Sequence, residues 1–382
     1  MGNRLFFEGY LEAYYGRLLS WEERSSLLST LSHLEMNLYI YGPKEDPYHR
    51  IDWAELYPDN ELQNFKNFRK EAFELGISPY FSLSPGLTYG QNEKLDLDRL
   101  KRKYSQLQSV GFTDFAIFFD DIESERNENL GRQHGSIVAE LSEFLERDSS
   151  SPLIFCPTVY CNSFANDDIS NSPYLKGLSK TVPGNLPMLW TGKEVISKHI
   201  GNQEIEELNK VISNPVMIWD NYYANDYCPT KFYIGPLRNR EVTKERVQGI
   251  GLNMTGLPIT DSINLFNLKG DLSLEEILKQ FEVPEEFNAL LPFFDGPFED
   301  SPDLESTTDI QNLINLSHEL CVKWKGPLQL EWAPFLWDFF QQLHFLKKIK
   351  TGADKKTLEA WASRRYSGPL FKTIFIEKNK ER

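Results

Sequence analysis

From Leu5 to about Lys269 short β-rich runs alternate with segments of helical period. Parallel strands cannot be joined by a tight turn, so this alternation implies parallel strands linked by crossover helices. Eight runs read as strands: Leu5–Leu11, Asn37–Tyr41, Ser78–Leu83, Phe115–Asp120, Leu153–Cys156, Met188–Trp190, Val216–Trp219 and Gly249–Asn253. Several are continuously apolar, as strands covered on both faces must be. The helices between them are legible too. Ser20-Trp21-Glu22-Glu23 is a capping box ahead of Leu27, Leu28, Leu31 and Leu34, and Leu97, Leu100, Tyr104, Leu107 and Val110 fall on one helical stripe. Eight repeats fit an α/β fold closed as a (β/α)8 barrel, with an open doubly wound sheet as the alternative.

After Lys269 the strands stop. Ser273-Leu274-Glu275-Glu276 opens another helix, a loop rich in Pro, Asp and Phe follows, and Trp332, Phe335, Leu336, Phe339, Phe340, Leu343, Leu346 and Ile349 make a wide apolar helical face. The expected organisation is a barrel over residues 1–270 and a helical region over 271–382, its apolar face packing on the barrel or against a second copy in a homodimer.

Charge and composition narrow the partners. The chain carries 56 acidic against 41 basic residues, a net −15 with no basic block to offset it, which argues against nucleic acid and anionic membranes. Most of its 26 Phe, 17 Tyr and 8 Trp are expected in the core, and the same stock can also line a sugar-binding cleft. Cys156, Cys161, Cys228 and Cys321 show no CxxC spacing, which points away from a zinc module or disulfide scaffold and toward free thiols in a reducing compartment. The opening MGNRLFFEGYLEAYYG lacks a signal-peptide apolar stretch, and Phe6 stands where an N-myristoylation motif wants Ser or Thr, so a cytoplasmic location is expected. No metal or cofactor is expected.

In a (β/α)8 barrel, catalytic groups gather at the C-terminal ends of the strands. Those ends are rich in polar and aromatic residues. They carry Glu12 to Tyr15, Lys44 within GPKED, Asp120-Asp121, Thr158-Val159-Tyr160, Trp190-Thr191, Trp219-Asp220-Asn221 with Asn225-Asp226, and Asn253. Asp120 and Asp121 close an apolar strand, where adjacent carboxylates repel unless they share charge or one holds a proton, as a general acid must. The same pair can instead cap turn amides or bind a hard cation such as Mg²⁺. Strict alternation sends the two side chains to opposite faces, and a bend into a loop lets both reach the cleft. Trp219 offers a flat face to a pyranose, and Asn221, Asp226 and Asn253 suit hydroxyl or amide groups. His49 and Cys156 read as structural, neither having an evident nucleophile–base partner.

At GYLEAYYGR, YIYGPKEDPYHR, FAIFFDDIESE, FCPTVYC, SPYL, LWTG, WDNYYANDY, GPLRNR and the strand ending in Asn253, the chain resembles glycoside hydrolase family 84, the O-GlcNAcases and bacterial β-N-acetylglucosaminidases. The resemblance implies a retaining exo-β-N-acetylglucosaminidase that uses substrate-assisted catalysis through an oxazoline. Asp120 would then orient the acetamido N–H, and Asp121 would act as acid and then base. Lys44 would bind a sugar hydroxyl, and Tyr160 and Asn221 would serve the intermediate and the acetamido group. Trp219 would shape the acetamido pocket, Cys156 would line it, Asp226 would take O4 and O6, and Asn253 the O3 side. Two departures stand out. Ala13 replaces a family glycine whose carbonyl touches the sugar, and Leu18-Leu19 replace Pro-Trp. Altered amino-sugar or hyaluronan specificity, or a non-catalytic N-acetylglucosamine-binding barrel, therefore stays open beside the leading expectation.

Overall fold

The computed structural model describes residues 6–90, 93–146, 151–304, 306–350, 368–371, 373 and 374. Leu5, expected to start the first strand, and the Met1-Gly2 terminus lie outside the described residues. Eight strands form the barrel: Phe7–Glu12, Leu38–Tyr41, Ser78–Leu83, Asp114–Phe118, Ile154–Cys156, Met188–Trp190, Val216–Asp220 and Gly249–Asn253. Each pairs in parallel with its neighbours in sequence. The first strand also pairs with the eighth, from Phe7 opposite Gly249 to Leu11 opposite Asn253, and this closes the sheet as a (β/α)8 barrel. The backbones come so close that a side chain at Gly9 would strike the Leu38 carbonyl.

Helices α1 (Trp21–His33), α2 (Asp59–Glu74), α3 (Glu93–Ser109), α4 (Glu128–Leu145), α5 (Pro173–Leu178) and α6 (Asn202–Asn209) fill the first six connections. The capping box at Ser20 is present: Glu23 N–H donates to Ser20 Oγ at 3.2 Å and Ser20 N–H to Glu23 Oε2 at 2.7 Å. Leu27, Leu28, Leu31 and Leu34 are all buried. On α3 the core of the expected stripe, Leu100, Tyr104 and Leu107, is buried, whereas Leu97 and Val110 at its ends are half-buried.

The seventh connection breaks the expected regularity. Residues 221–248 contain no helix. Their far part is tied back by a two-residue parallel pair, Ile200–Gly201 against Arg240–Glu241, and by Arg240, whose guanidinium donates from Nε and Nη2 to buried Asp220 at 2.7 Å each. A charged clamp replaces the packing a crossover helix would supply.

The chain divides into two compact units, residues 1–222 with 238–256, and 223–237 with 257–382. In the second, α7 (Pro258–Lys269) holds the 223–237 segment through Asn264 Nδ2 to Tyr233 O at 3.0 Å and Asn267 Nδ2 to Ile234 O at 3.0 Å. Helix α8 (Leu274–Gln280) starts at the expected Ser273 capping box. Helices α9 (Thr307–Val322) and α10 (Pro327–Lys350) pack together. The apolar face of α10 is covered from within this unit. Trp332 stacks on Phe232 with centroids 4.8 Å apart and donates Nε1–H to Thr260 Oγ1 at 2.9 Å, while Phe339 meets Phe293 and Phe294. Among the described residues no helix is long and apolar enough to cross a membrane.

One ion pair roots α1 in the barrel unit. Glu12, fully buried at the end of the first strand, accepts from Arg24 Nη2 at 2.7 Å, Arg24 Nε at 3.0 Å and the Tyr39 hydroxyl at 2.7 Å. Removing the carboxylate leaves a guanidinium buried without its counter-charge, so Glu12→Ala should lower unfolding free energy by about 3–5 kcal/mol in urea titrations. Arg24→Ala with Glu12→Ala together should cost less than the sum of the two single changes.

Candidate active site

The barrel interior sets the site by period-two alternation. Leu11, Ile40, Ala116, Phe118, Ile154, Cys156, Met217 and Trp219 point inward and fill one buried cluster. Continuing the same parity beyond the strand ends gives Ala13, Gly42 and Lys44, Asp120, and Asn221.

Asp120 is buried, and so is Lys44, whose Nζ lies 2.5 Å from Asp120 Oδ2 and 3.4 Å from Ser84 Oγ. Two charges withdrawn from water this far persist only as a pair. The Lys44 ammonium also faces the rings of Phe118 and Trp219, at 5.5 and 5.8 Å from their centroids. Among the described residues Asp120 Oδ1 is buried with no hydrogen-bond partner. A buried acceptor of this kind is expensive unless something fills it.

The fourth strand ends at Phe118, two residues earlier than expected, because the chain turns at the aspartates. Asp121 takes φ +51°, the left-handed region that Asp tolerates better than most residues. That turn resolves the alternation problem. Phe119 keeps the outward position, its ring stacked on His134 at 4.1 Å and its carbonyl accepting from Thr158 Oγ1 at 2.8 Å. Asp121 swings to the rim, where Tyr15 donates to Oδ2 at 2.8 Å and Tyr160 to Oδ1 at 2.7 Å. Both phenols are pushed well above their ordinary range, by burial first and then by the Asp121 charge, so they remain donors.

A second chain of bonds runs along the opposite rim. Ala13 N–H donates to Asn253 Oδ1 at 3.2 Å, Asn253 Nδ2 donates to Asn221 Oδ1 at 2.9 Å, and Trp219 Nε1 donates to the same oxygen at 2.8 Å. Asn221 Nδ2 is held by Val195 O at 2.8 Å, which fixes the amide orientation. Ala13 is buried within the inward cluster. Of the expected site residues, Ala13, Lys44, Asp120, Asp121, Cys156, Tyr160, Trp219, Asn221 and Asn253 therefore converge on one barrel mouth. Asp226 belongs to the second unit, where its Oδ1 accepts Tyr227 N–H at 2.9 Å.

Asp46 and His49, also near a strand end, turn out to be scaffold. Asp46 accepts from Tyr41 at 2.7 Å, Tyr57 at 2.5 Å and Tyr48 N–H at 2.9 Å, shaping the loop that presents Lys44. His49 lies 3.0 Å from Ser82 Oγ, and its carbonyl accepts from Ser84 N–H at 3.0 Å. The Cys156 thiol is pushed up by burial and by the nearby Asp120 charge, which makes it a poor nucleophile. Two site neighbours escaped sequence reading. Tyr15 stood in the strand-end segment EAYYGR without a role assigned to it, and Ser84 carried no signal before the fold placed it beside Lys44. Among the described residues no group of three or more His, Cys, Asp or Glu is arranged to hold a metal ion.

Fold and rim together define a (β/α)8 barrel whose mouth gathers buried carboxylate, amide and aromatic side chains. Residues 8–291 match the profile of the beta-N-acetylglucosaminidase family, and the chain belongs to that family. It is 34% identical over 260 residues to the Protein O-GlcNAcase of Mus musculus and to that of Rattus norvegicus, a match covering 66% of this chain and 28% of each relative. The chain thus spans just over a quarter of the length of these curated relatives. A Thermobaculum terrenum O-GlcNAc hydrolase variant of solved structure superposes with a TM-score of 0.80 at 23% identity, over 99% of this chain and 94% of its own, and shares the fold.

The packing behind the aspartates carries a pH signature. Burial depresses His134 from 6.5 to about 3 and pushes His49 well below the same ordinary value. In the unfolded chain each takes up a proton near 6.5, so stability is fully present above that pH and falls as pH drops toward the folded values. Two such groups give a slope of up to about 2.7 kcal/mol per pH unit between about pH 5 and 6.5. Urea midpoints measured across that window should show it, and His134→Phe should remove roughly half of the slope.

Proposed function

We propose that the chain removes terminal β-linked N-acetylglucosamine from proteins or glycans with retention of configuration, using the substrate's own acetamido oxygen as nucleophile. The observation that carries this reading is Asp120: one carboxylate oxygen is locked by Lys44 and the other is buried and unpartnered at the barrel mouth. An acetamido N–H is the kind of donor such an oxygen accepts. Holding that N–H aligns the acetamido carbonyl oxygen with the anomeric carbon and draws electron density from nitrogen toward it.

In the first step the acetamido oxygen bonds to the anomeric carbon and the glycosidic C–O bond breaks. Its electron pair leaves on the aglycone oxygen, which takes a proton from Asp121. In the second step water adds at the anomeric carbon, gives its proton to Asp121, and the oxazoline C–O bond opens to restore the acetamide. The carboxylate-separation rule for glycosidases does not report stereochemistry for substrate-assisted enzymes. Both oxygens of Asp121 accept phenol hydrogen bonds, so proton delivery requires one phenol to give way. Tyr15, 38% exposed, is freer to do so than Tyr160 at 6%.

Trp219 and Cys156 would wall the acetamido pocket, Asn221 and Tyr160 would serve the intermediate, and Asn253 would take the O3 side. The names of the rodent relatives support an O-linked N-acetylglucosamine substrate.

Purified chain should hydrolyse an aryl β-N-acetylglucosaminide. Asp121→Asn should cost about 10²–10⁴ in kcat/KM with poor leaving groups and far less with activated ones, because only the poor ones need the proton. Asp120→Asn should slow both substrates alike, since it acts on the attacking oxygen. No turnover by the native chain, or a harmless Asp120→Asn, would sink the assignment.

A further inference from the structure

Beyond the aspartates the chain makes a closed circuit of contacts. Tyr160, whose hydroxyl donates to Asp121 Oδ1 at 2.7 Å, packs against the ring of Phe164 with centroids 4.9 Å apart and planes at 64°. Phe164 is half-buried against the inward cluster. The guanidinium of Arg126 lies 4.0 Å from the Phe164 ring centroid, and Arg126 Nη1 donates to the Phe164 carbonyl at 3.4 Å. Arg126 stands on the segment that leaves Asp121 and ends at Asn127, where the Asn127 side chain caps α4 by accepting Leu130 N–H at 2.9 Å. The path therefore runs from Asp121 through Tyr160, Phe164 and Arg126 and returns along the backbone.

We infer that Arg126 and Phe164 are positioning residues for the proton-transfer step, forming a clasp that keeps the Tyr160 hydroxyl on Asp121. Neither touches the reacting atoms, and the inference rests on the reading of Asp121 as the acid. Tyr160 is a buried member of the inward cluster, and Phe164 packs its ring against it from the edge of that cluster, where it restrains rotation of the phenol. Phe164 in turn is held from outside by a cation over its face, an attraction that a Trp, Tyr or Phe ring offers and an aliphatic side chain does not. The carbonyl contact adds a second point of attachment, so Arg126 anchors both the ring and the loop that carries Asp121. A side chain that merely filled the core would need neither. An acid set slightly off line loses rate in proportion to how much the leaving group needs it.

The test is a double-mutant cycle on two aryl β-N-acetylglucosaminides, one with a poor phenol leaving group and one with a strongly activated one. Phe164→Ala should lower kcat about tenfold on the poor leaving group, leave the activated substrate within about twofold, and hardly move KM. Exposed Arg126→Ala should do the same more weakly, and its thermal midpoint should stay at the native value, which separates positioning from unfolding. Phe164→Tyr, which keeps the ring, should behave like the native chain. In a Tyr160→Phe background, Phe164→Ala should add no further loss, because the hydroxyl it positions is gone. An equal loss on both substrates, or a full additional loss in the Tyr160→Phe background, overturns the clasp while leaving the acid assignment intact. An Asp121→Asn variant that still hydrolyses the poor leaving group at the native rate overturns the acid assignment, and the clasp with it.

Discussion

Everything at the barrel mouth depends on the closure of the sheet by parallel pairing of the first strand with the eighth. Because Phe7 meets Gly249 and Leu11 meets Asn253, all eight strands run the same way and all their C-terminal ends open on one rim. The tight approach of Gly249 to the Phe7 carbonyl makes that register hard to shift, since a slip of one residue would turn every inward side chain outward. The site is then assembled by continuation. Ala13 follows Leu11, Asp120 follows Phe118 and Asn221 follows Trp219 on the inward parity. Functional groups distant in sequence become neighbours without any loop having to search for them.

The cost of such a site falls on its charges. Lys44 and Asp120 are both withdrawn from water, and either alone would be strongly destabilising there. Pairing at 2.5 Å makes the arrangement tolerable and consumes only one carboxylate oxygen. The remaining oxygen is left as a directed acceptor in a setting where an unmet hydrogen bond is costly. Charge balance is thus reached with one carboxylate oxygen to spare. The buried Glu12–Arg24 pair uses the same chemistry with the opposite result: Arg24 and Tyr39 engage both oxygens of Glu12, and that pair only holds α1 in place.

Much of this was readable in the sequence, for reasons that are physical. Strand runs such as Leu38–Tyr41 and Val216–Asp220 are buried throughout, so their composition betrays them. The Ser20 and Ser273 capping boxes are local chemistry and survive any tertiary context. The seventh connection was not legible, because what holds it is a contact between Arg240 and Asp220 across twenty residues, and no periodicity records such a clamp. The partnership of Lys44 with Asp120 across 76 residues is of the same kind. The early end of the fourth strand depends on one backbone angle, which an Asp permits without requiring.

That angle is where the candidate site departs most from an unstrained fold. A left-handed backbone at a residue other than glycine costs about 1–2 kcal/mol, and Asp121 sits at φ +51° in an exposed turn with no core of its own to hold it. Strain of this kind persists only where the surroundings over-determine it. The surroundings here are specific: Phe119 is fixed outward by His134 and Thr158, and Tyr15 and Tyr160 each grip one carboxylate oxygen. Relaxing Asp121 to an ordinary extended angle would restore strict alternation and carry its carboxylate away from the face that Asp120 occupies. The strained turn is therefore the structural condition for having two adjacent aspartates serve one cleft, and the phenols hold it in that state.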